Sequence, residues 1–324
     1  MTTTTYSTPK LFIGDNEIQN FKSVQFTDAG QNLATSLNVT ISDPELRRYA
    51  LANKQVLFFL NHGSKDTVPF FRGIIRQVNP TDTQLQFTAY DVRTLLTGKE
   101  TLPLIMTDEQ NYDGYTLGQF LHEYITENIN VKETIIGLDL LNDTNPTVSL
   151  SNVREDGTNP LELVSKKLPK DSTTSDIRKH RLTVIDDGEK SNLAFVKEQS
   201  INDVGVSFTY SDGIKQLNVK KREGPNMLST VVGKTKVIYK HNNLDNGVRA
   251  GKIEGNFDYP DQATQQAFIE ATLGERDAEI TLVATKGHYL NIGNVVNLTT
   301  PDYPEINGKH RIVSKQVTCS STNV

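Results

Sequence analysis

Apolar and polar residues alternate with a period of two along most of this chain, a pattern typical of strands that bury one face. Residues 36–41 read Ser-Leu-Asn-Val-Thr-Ile, and the segments 84–89 and 204–210 repeat the same alternation. The short apolar run at 56–60 indicates a further, buried strand. The pattern predicts a mainly β protein of antiparallel sheets, each with one face on a core and one on water or a partner.

Turn-forming dipeptides separate several of these predicted strands. Asp212-Gly213 lies between VGVSFTYS and IKQLNVKK and predicts a tight hairpin, because this dipeptide readily adopts positive φ angles. Asp187-Gly188 lies between RLTVID and NLAFV. Asn307-Gly308 lies between VVNLTT and HRIVSKQV, in a longer connection that holds two prolines. Each of these dipeptides indicates a reversal of the chain between antiparallel strands.

Helices are few. The stretch 116–128 predicts one helix, because its apolar residues share one face at helical spacing. Pro160 suits the first turn of a second helix that Asn159 caps, and Asp261 suits the cap of a third at 261–274. The inward residues are Leu117, Phe120, Leu121, Tyr124 and Ile125 in the first helix, and Leu161, Val164 and Leu168 in the second.

The elements divide the chain into three regions. Residues 1–97 are rich in strands and end in the amphipathic segment DVRTLLTG. Residues 98–200 hold two helices among short strands and polar loops, and in residues 201–324 the strands return around the helix near 261–274. FRGIIRQV followed by LQFTAYDV loosely resembles GKHRIVSKQVTCS at the other end of the chain. This weak repeat predicts two similar barrels that flank a smaller mixed α/β insertion. The predicted fold class of the whole chain is mainly β, or α+β when the helices are included.

Composition narrows the class of protein. A chain of 324 residues, 36% hydrophobic and 23% charged, suits a folded protein of two or three domains. No apolar stretch approaches the ~20 residues that a transmembrane helix needs, and MTTTTYSTPK at the start reads as a polar arm rather than a secretory signal. The single cysteine, Cys319, excludes an internal disulfide framework and a cysteine-based zinc cage. A net charge of −5 without a Lys/Arg stripe argues against strong nucleic-acid binding.

Fragments of catalytic motifs are incomplete. His122-Glu123 opens like a zinc-protease helix, but the second histidine is replaced by Thr126. Glu123 and Glu127 share a helix face, a common arrangement of surface carboxylates.

Two further fragments also lack required residues. Gly233-Lys234-Thr235 resembles the end of a phosphate-binding loop, but Leu228 stands where the motif needs glycine. Asp108, Asp113 and Gly114 lack the alternating ligands and the terminal glutamate of a calcium loop. The chain also contains no tryptophan, the side chain most suited to stacking on sugars. The sequence therefore predicts no catalytic, cofactor-binding or metal-binding residue, and no cofactor.

Two segments resemble a known family. In the C-terminal segment 274–321, a helix is followed by a strand, by LNIGNVV at 290–296 and by GKHRIV at 308–313. The second segment lies near the N-terminus and has the sequence PFFRGIIRQVNPTDTQLQFTAYDVRTLLTGKE. It contains, in order, a glycine, an apolar strand, a turn, a second strand, an aromatic residue followed by Asp, and a helix. Both orders resemble the late-control-type tail proteins, which belong to the baseplate hub family of contractile phage tails.

The resemblance implies a structural subunit rather than an enzyme. It implies a homotrimer in which residues 1–97 and 201–324 each form a tail-tube-like barrel, with 98–200 as the mixed domain between them. Three subunits with two like barrels present six quasi-equivalent positions, which suit a hexameric tube ring on one side and a trimeric spike on the other. A neutral or acidic lining of the channel would avoid trapping phosphates.

The implied partners are further copies of the chain, the tail tube protein ring and the central spike protein. The tape-measure protein and baseplate wedge proteins are further candidates. The resemblance implies neither specific nucleic-acid binding nor a membrane anchor. The implied location is the baseplate of the virion tail, assembled in the host cytoplasm.

Two other hypotheses stay open. In the first, the chain is a tail-associated peptidoglycan hydrolase with 98–200 as its catalytic unit, which would depend on Glu123 or Glu155. In the second, it is a receptor-binding protein of the tail tip, for which the lack of tryptophan and of fibre-like repeats is unfavourable.

Overall fold

The fold was obtained as a computed structural model. It describes residues 9–30, 34–50, 52–60, 67–97, 112–129, 135–143, 146, 149–150, 159–168, 180–197, 202–209, 214–221, 230–232, 237–240, 252–254, 278–284 and 287–320. The chain divides into two units, the first comprising residues 1–169, 180–197 and 313–324 and the second residues 170–179 and 198–312. Residues 1–8 of the predicted N-terminal arm and the helix predicted at 261–274 lie outside the described residues.

The described elements are mainly β, as the alternation predicts. The strands are β1 (Lys10–Ile13), β2 (Asn16–Ile18), β3 (Phe21–Asp28), β4 (Ser36–Ile41), β5 (Gln55–Phe59), β6 (Phe71–Pro80), β7 (Leu85–Tyr90), β8 (Ile136–Gly137), β9 (His180–Asp186), β10 (Ser191–Lys197), β11 (Asn202–Phe208), β12 (Ile214–Lys221), β13 (Thr230–Val232), β14 (Val237–Lys240), β15 (Lys252–Glu254), β16 (Ala278–Ala284), β17 (Asn294–Leu298), β18 (Gly308–Arg311) and β19 (Lys315–Cys319). The helices are α1 (Leu117–Asn128), α2 (Leu140–Asp143) and α3 (Pro160–Lys167), with 3-10 turns at Pro44–Arg48, Val92–Leu96 and Pro304–Ile306.

One large antiparallel sheet dominates the first unit, in the strand order β19-β3-β4-β7-β6-β5-β1-β2. The predicted alternation is confirmed, since β4 and β7 bury every second residue. The sheet curls around a single apolar core. The ring of Phe26 on β3 lies 6.1 Å from that of Phe71 on β6, and the ring of Phe21 on β3 lies 6.2 Å from that of Phe58 on β5. Strands that are far apart in the sheet order therefore meet across the core.

The last strand of the chain belongs to this first sheet. β19 pairs antiparallel with β3, from Lys315 opposite Asp28 to Cys319 opposite Val24. The three-region division places these residues in the region 201–324, whereas their hydrogen bonds tie them to the N-terminal strands. Alternating residues such as Val317 and Cys319 indicate which side of a strand is buried, but they do not identify its partner.

The middle of the first unit has its own apolar core and contains the first two of the three predicted helices. Thr116 caps α1 in a reciprocal capping box with Gln119, and all five residues predicted to face inward are buried. Asn159 caps α3, whose inward residues are also buried. The predicted hairpin at Asp187-Gly188 is confirmed, because β9 and β10 pair antiparallel on either side of it. Gly188 has a φ of +98°, which favours glycine.

In the second unit the strands form smaller sheets, β11-β17-β18, β12-β16 and β14-β13-β15. The turn predicted at Asp212-Gly213 lies outside the described residues. The pairing predicted for its two flanking strands is wrong, because among the described residues β11 pairs with β17 and β12 pairs with β16. A turn dipeptide favours a reversal of the chain, but it does not determine the hydrogen-bonded partner of either strand. The antiparallel pair β17–β18 confirms the reversal before Asn307-Gly308. A buried cluster that includes Phe208, Leu290 and Val296 forms the core of this unit.

Candidate functional site

Two buried arginines join the β9–β10 hairpin to the large sheet. Arg72 on β6 donates from Nε to Asp186 Oδ2 at 2.6 Å and from Nη2 to Asp186 Oδ1 at 3.2 Å. The same Nη2 donates to the carbonyl oxygen of Gly188 at 2.6 Å. A Cβ at Gly188 would lie 3.1 Å from the carbonyl oxygen of Thr67. The hairpin turn is therefore held close to the chain segment that leads into β6.

Arg93 forms the second of these contacts. Its Nη2 donates to Asp91 Oδ2 at 2.7 Å and to Thr35 Oγ1 at 2.8 Å, and its Nη1 donates to the carbonyl oxygen of Leu182 on β9 at 3.2 Å. The Thr35 amide donates to Asp91 Oδ2 at 2.8 Å. Burial by itself lowers the pKa of Arg93, but the charge and hydrogen bonds of Asp91 together with the charge of Asp28 outweigh this effect, and the pKa is raised. The guanidinium therefore stays charged inside the fold.

Neither arginine can be recognised as a buried ion-pair residue from the sequence alone. The available signal was Asp91-Val-Arg93, which places opposite charges two residues apart at the start of a 3-10 turn where Asp91 also accepts from the Arg93 amide. A cap of this kind can be read from sequence. The partners Leu182 and Asp186 lie far along the chain, and only the tertiary structure brings them near.

The two edge strands of the large sheet are candidate surfaces for assembly. β2 and β19 stand at its two edges, where backbone groups of an outer strand face away from the sheet and can pair with another chain. β2 has only three residues, and β19 has five. Lys315 at the start of β19 lies with its Nζ 5.0 Å from the ring centroid of Phe70 and 5.4 Å from that of Phe26. Burial lowers the pKa of Lys315 to about 8, against the effect of the nearby Asp28.

Large apolar side chains are exposed at a few described positions. Val313, just before β19, is 70% exposed, and Tyr289 in the second unit is 59% exposed. Val283 on β16 and Tyr303 are also exposed. Isolated apolar residues are common on surfaces, but exposed aromatic and branched side chains are the groups that a partner subunit covers most favourably.

The carboxylates on α1 are held by tyrosines. Tyr112 Oη donates to Glu127 Oε2 at 3.4 Å, and burial followed by the charge of Glu127 raises the pKa of Tyr112 to about 12. A hydrogen bond with Glu123 raises the pKa of Tyr115. His122 is exposed on the same helix. The structure does not bring these groups together in the manner of a zinc-protease helix.

The other incomplete motifs fall on turns or outside the described residues. Asp113 and Gly114 form an exposed turn before α1. Asp108, Glu155 and Gly233-Lys234-Thr235 lie outside the described residues. In the part of the chain that the structure describes, no group of His, Cys, Asp and Glu is placed to hold a metal ion. Nor does that part contain a helix long and apolar enough to cross a membrane.

No model of a known protein family and no curated protein matches this chain. Solved structures do match it. The 43 kDa tail protein of prophage MuSo2 from Shewanella oneidensis is similar with a TM-score of 0.65 at 12% identity, over 98% of this chain and 94% of that chain. The tail protein from Neisseria meningitidis MC58 is similar with a TM-score of 0.60 at 12% identity, again over 98% and 94% of the two chains.

A third similar structure comes from a secretion machine. It is a component of the E. coli type VI secretion system, itself structurally similar to the T4 bacteriophage tail proteins gp27 and gp5. Its TM-score is 0.54 at 12% identity, over 97% of this chain and 74% of that chain. The chain therefore has the fold of phage tail proteins over nearly its whole length.

Proposed function

We propose that this chain is a structural component of a phage tail baseplate, a trimeric hub that joins the hexameric tail tube to a trimeric central spike. In this role it forms part of the channel through which the genome leaves the particle. The observation that carries the proposal is the fold likeness to two tail proteins over 98% of this chain. The segments 69–100 and 274–321, which resemble the hub family in sequence, support the same role.

In this proposal each unit supplies one tail-tube-like barrel. The curled sheet of the first unit and its apolar core support the first barrel. The separate core of the second unit, with strands β11, β17 and β18 beside it, supports the second. The region 98–200 is then the mixed insertion, and β19, at the edge of the large sheet, belongs to the first barrel rather than to the second. Two like barrels in each of three copies supply the six positions that a hexameric ring requires.

The proposed partners are two further copies of the chain, the tube ring and the central spike. The tape-measure protein and baseplate wedge proteins are further candidates at the same location, the virion tail, with assembly in the host cytoplasm. Exposed edges and side chains support a role in assembly, because β19 is an edge strand and Val313 beside it is 70% exposed.

The proposal gives the chain no catalytic role. On α1, Glu127 is exposed and accepts from Tyr112, and Glu123 is hydrogen-bonded to Tyr115. Paired acid and base carboxylates work in a cleft that tunes their pKa values and admits a sugar chain. A zymogram on peptidoglycan with the wild-type chain and with Glu123→Gln tests the hydrolase hypothesis, and clearing that the substitution abolishes would contradict the proposal.

The decisive experiment measures the oligomeric state of the full chain. Light scattering behind size exclusion should give the mass of a trimer, and electron micrographs should show a three-fold ring with a pseudo-six-fold face. Co-purified tube protein should bind the six-fold face and raise the fraction of rings. A chain that stays monomeric at high concentration, with and without tube and spike partners, would contradict the hub. An elongated fibre would favour the receptor-binding hypothesis.

A further inference from the structure

The large sheet of the first unit has an outer side, opposite its core, on which polar side chains stand in register. One row runs across five strands through Thr318, Gln25, Asn38, Thr88 and Gln77, each opposite the next. Within this row Thr88 Oγ1 donates a hydrogen bond of 2.7 Å to Asn38 Oδ1. Asn38, Gln77 and Thr318 are exposed to solvent.

A second row lies beside the first. It runs through Ser23, Thr40, Gln86 and Asn79, which are again opposite one another on successive strands. Gln86 and Asn79 are exposed, and Ser23 and Thr40 are half-buried. Every side chain in both rows ends in a hydroxyl or an amide, and none carries a charge. We call these two rows the uncharged face.

Charged residues begin only at the border of this face. Lys22 is exposed beside the bulge in β3, and Arg76 lies at the bulge of β6, where its Nη1 donates to Asn53 Oδ1 at 2.6 Å. Exposed sheet surfaces usually carry Lys and Glu, which oppose association with other chains. Since 23% of the chain is charged, a face five strands wide without a charge requires a physical reason.

Strong binding of a partner does not explain why this face carries no charge. The centres of stable protein interfaces are rich in Tyr, Trp, Phe, Met and Arg, and the uncharged face has none of these. Sites that hold nucleic acid firmly use Lys and Arg against phosphate, and these are also missing. A smooth surface of hydroxyls and amides exchanges hydrogen bonds with water easily, and it holds a passing molecule only weakly.

We infer that the uncharged face lines the channel of the assembled hub, through which the nucleic acid leaves in the proposed function. This inference rests on the proposed function. Cations in a channel wall would bind the phosphates and slow the passage of the polymer. Carboxylates in a narrow channel would not trap the phosphates, but they would repel them and oppose the entry of the polymer. A wall with neither kind of charge avoids both effects.

Single cysteines test the position of this face in the full chain. Asn38→Cys and Gln86→Cys each place one thiol on an exposed position of a different row, and the native Cys319 is buried. Glu189→Cys, on the exposed turn of the β9–β10 hairpin, provides a control thiol that belongs to neither row. The reaction rates of each thiol in the assembled ring are measured with three reagents: a small anionic methanethiosulfonate, a small cationic one, and a maleimide carried on a folded protein.

In the ring, both small reagents should modify Asn38→Cys and Gln86→Cys. The ratio of the anionic reagent's rate to the cationic reagent's rate should lie within about twofold of the same ratio for free cysteine. This is expected because the electrostatic potential at an uncharged face is close to zero. The maleimide on the folded protein should react at least about tenfold more slowly than with a thiol on the outside of the ring, because a channel admits an extended polymer more readily than a globular protein. Labelled thiols should appear at the inner rim in electron micrographs.

Other outcomes overturn the inference. Protection from all three reagents would place the face in an interface between subunits, and equal access for the large reagent would place it on the outside. A rate ratio shifted by more than about tenfold would show a charged channel wall. In each of these cases the ring itself stands, so the proposed function survives. If no ring forms, the proposed function fails and this inference fails with it.

Discussion

Arg72 on β6 and Asp186 at the end of β9 form a two-point ion pair between residues 114 positions apart. Their side chains are 5% and 11% exposed, so the pair is nearly shielded from water. The contact joins the large sheet to the β9–β10 hairpin, and Arg93 joins the same two parts through Leu182. The two arginines link these two parts of the first unit, each of which has its own apolar core.

Replacing Arg72 with methionine should destabilise the protein by about 3 kcal/mol, because it leaves the Asp186 carboxylate largely buried without a counter-charge. Urea unfolding measures this change. The double variant Arg72→Met/Asp186→Asn should recover part of the loss. Lys166→Met removes the partner of Glu162 in a pair whose side chains are 50% and 52% exposed, and it should cost less than about 0.5 kcal/mol. Equal effects of the Arg72 and Lys166 substitutions would contradict the buried role of Arg72.

Gly73→Ala should destabilise the large sheet. A Cβ at this position would lie 2.5 Å from the carbonyl oxygen of Tyr90 and 2.5 Å from Cζ of Phe71. The Phe71 ring can shift, but the Tyr90 carbonyl belongs to the neighbouring strand, so β6 and β7 must separate. The expected loss is about 3 kcal/mol in urea unfolding. Gly14→Ala has open space around it and a φ of +57°, so it should cost only about 1 kcal/mol of backbone strain. A smaller loss for Gly73→Ala than for Gly14→Ala would contradict the predicted clash.

The turn of the β9–β10 hairpin should show a dependence on pH. Hydrogen bonds from the Lys190 and Glu189 amides and from Asn192 lower the pKa of Asp187 from 3.8 to about 2. Because the folded pKa is the lower one, the stabilisation is complete above the unfolded pKa and is lost as the pH falls through the folded pKa. Asp187→Ala should therefore lower the unfolding midpoint by a constant amount above about pH 5.

Below that pH, the gap between wild type and Asp187→Ala should narrow as the pH falls from 3.8 towards 2. Asp187→Asn keeps an acceptor oxygen and removes the titration, so its own midpoint should follow a flatter curve over this range. Urea titrations at several pH values measure all three chains. A gap that stays constant down to the lowest pH would show that the carboxylate charge does not contribute.

Cys319 should be nearly unreactive in the folded chain. Its side chain is buried at the end of β19, and burial raises the pKa of the thiol to about 12. The thiolate is the reactive form, so at pH 8 a disulfide reagent should modify Cys319 at least about 100-fold more slowly than an exposed thiol. Val313→Cys provides that exposed thiol six positions earlier. Unfolding in urea should make the two rates equal, and fast reaction of the native Cys319 would contradict the pairing of β19 with β3.

The local elements could be predicted from sequence, because their signals lie within a few residues. Thr116 and Asn159 cap the two helices as their side-chain chemistry predicts. The period-two pattern predicted which residues of β4 and β7 are buried. The pairing of β11 and β12 with each other was predicted wrongly, since a turn dipeptide describes the reversal of the chain and not the hydrogen-bonded neighbour.

The sequence by itself determined that this protein is mainly β, where its caps and several of its turns lie, and which face of each strand is apolar. Only the tertiary structure decided that β19 joins β3, that Arg72 meets Asp186, and that polar side chains from five strands align into one uncharged face. The physical reason is the range of the interactions. Caps, turns and alternation act over a few residues, whereas strand partners, ion pairs and shared faces depend on how distant segments complement one another around a common core.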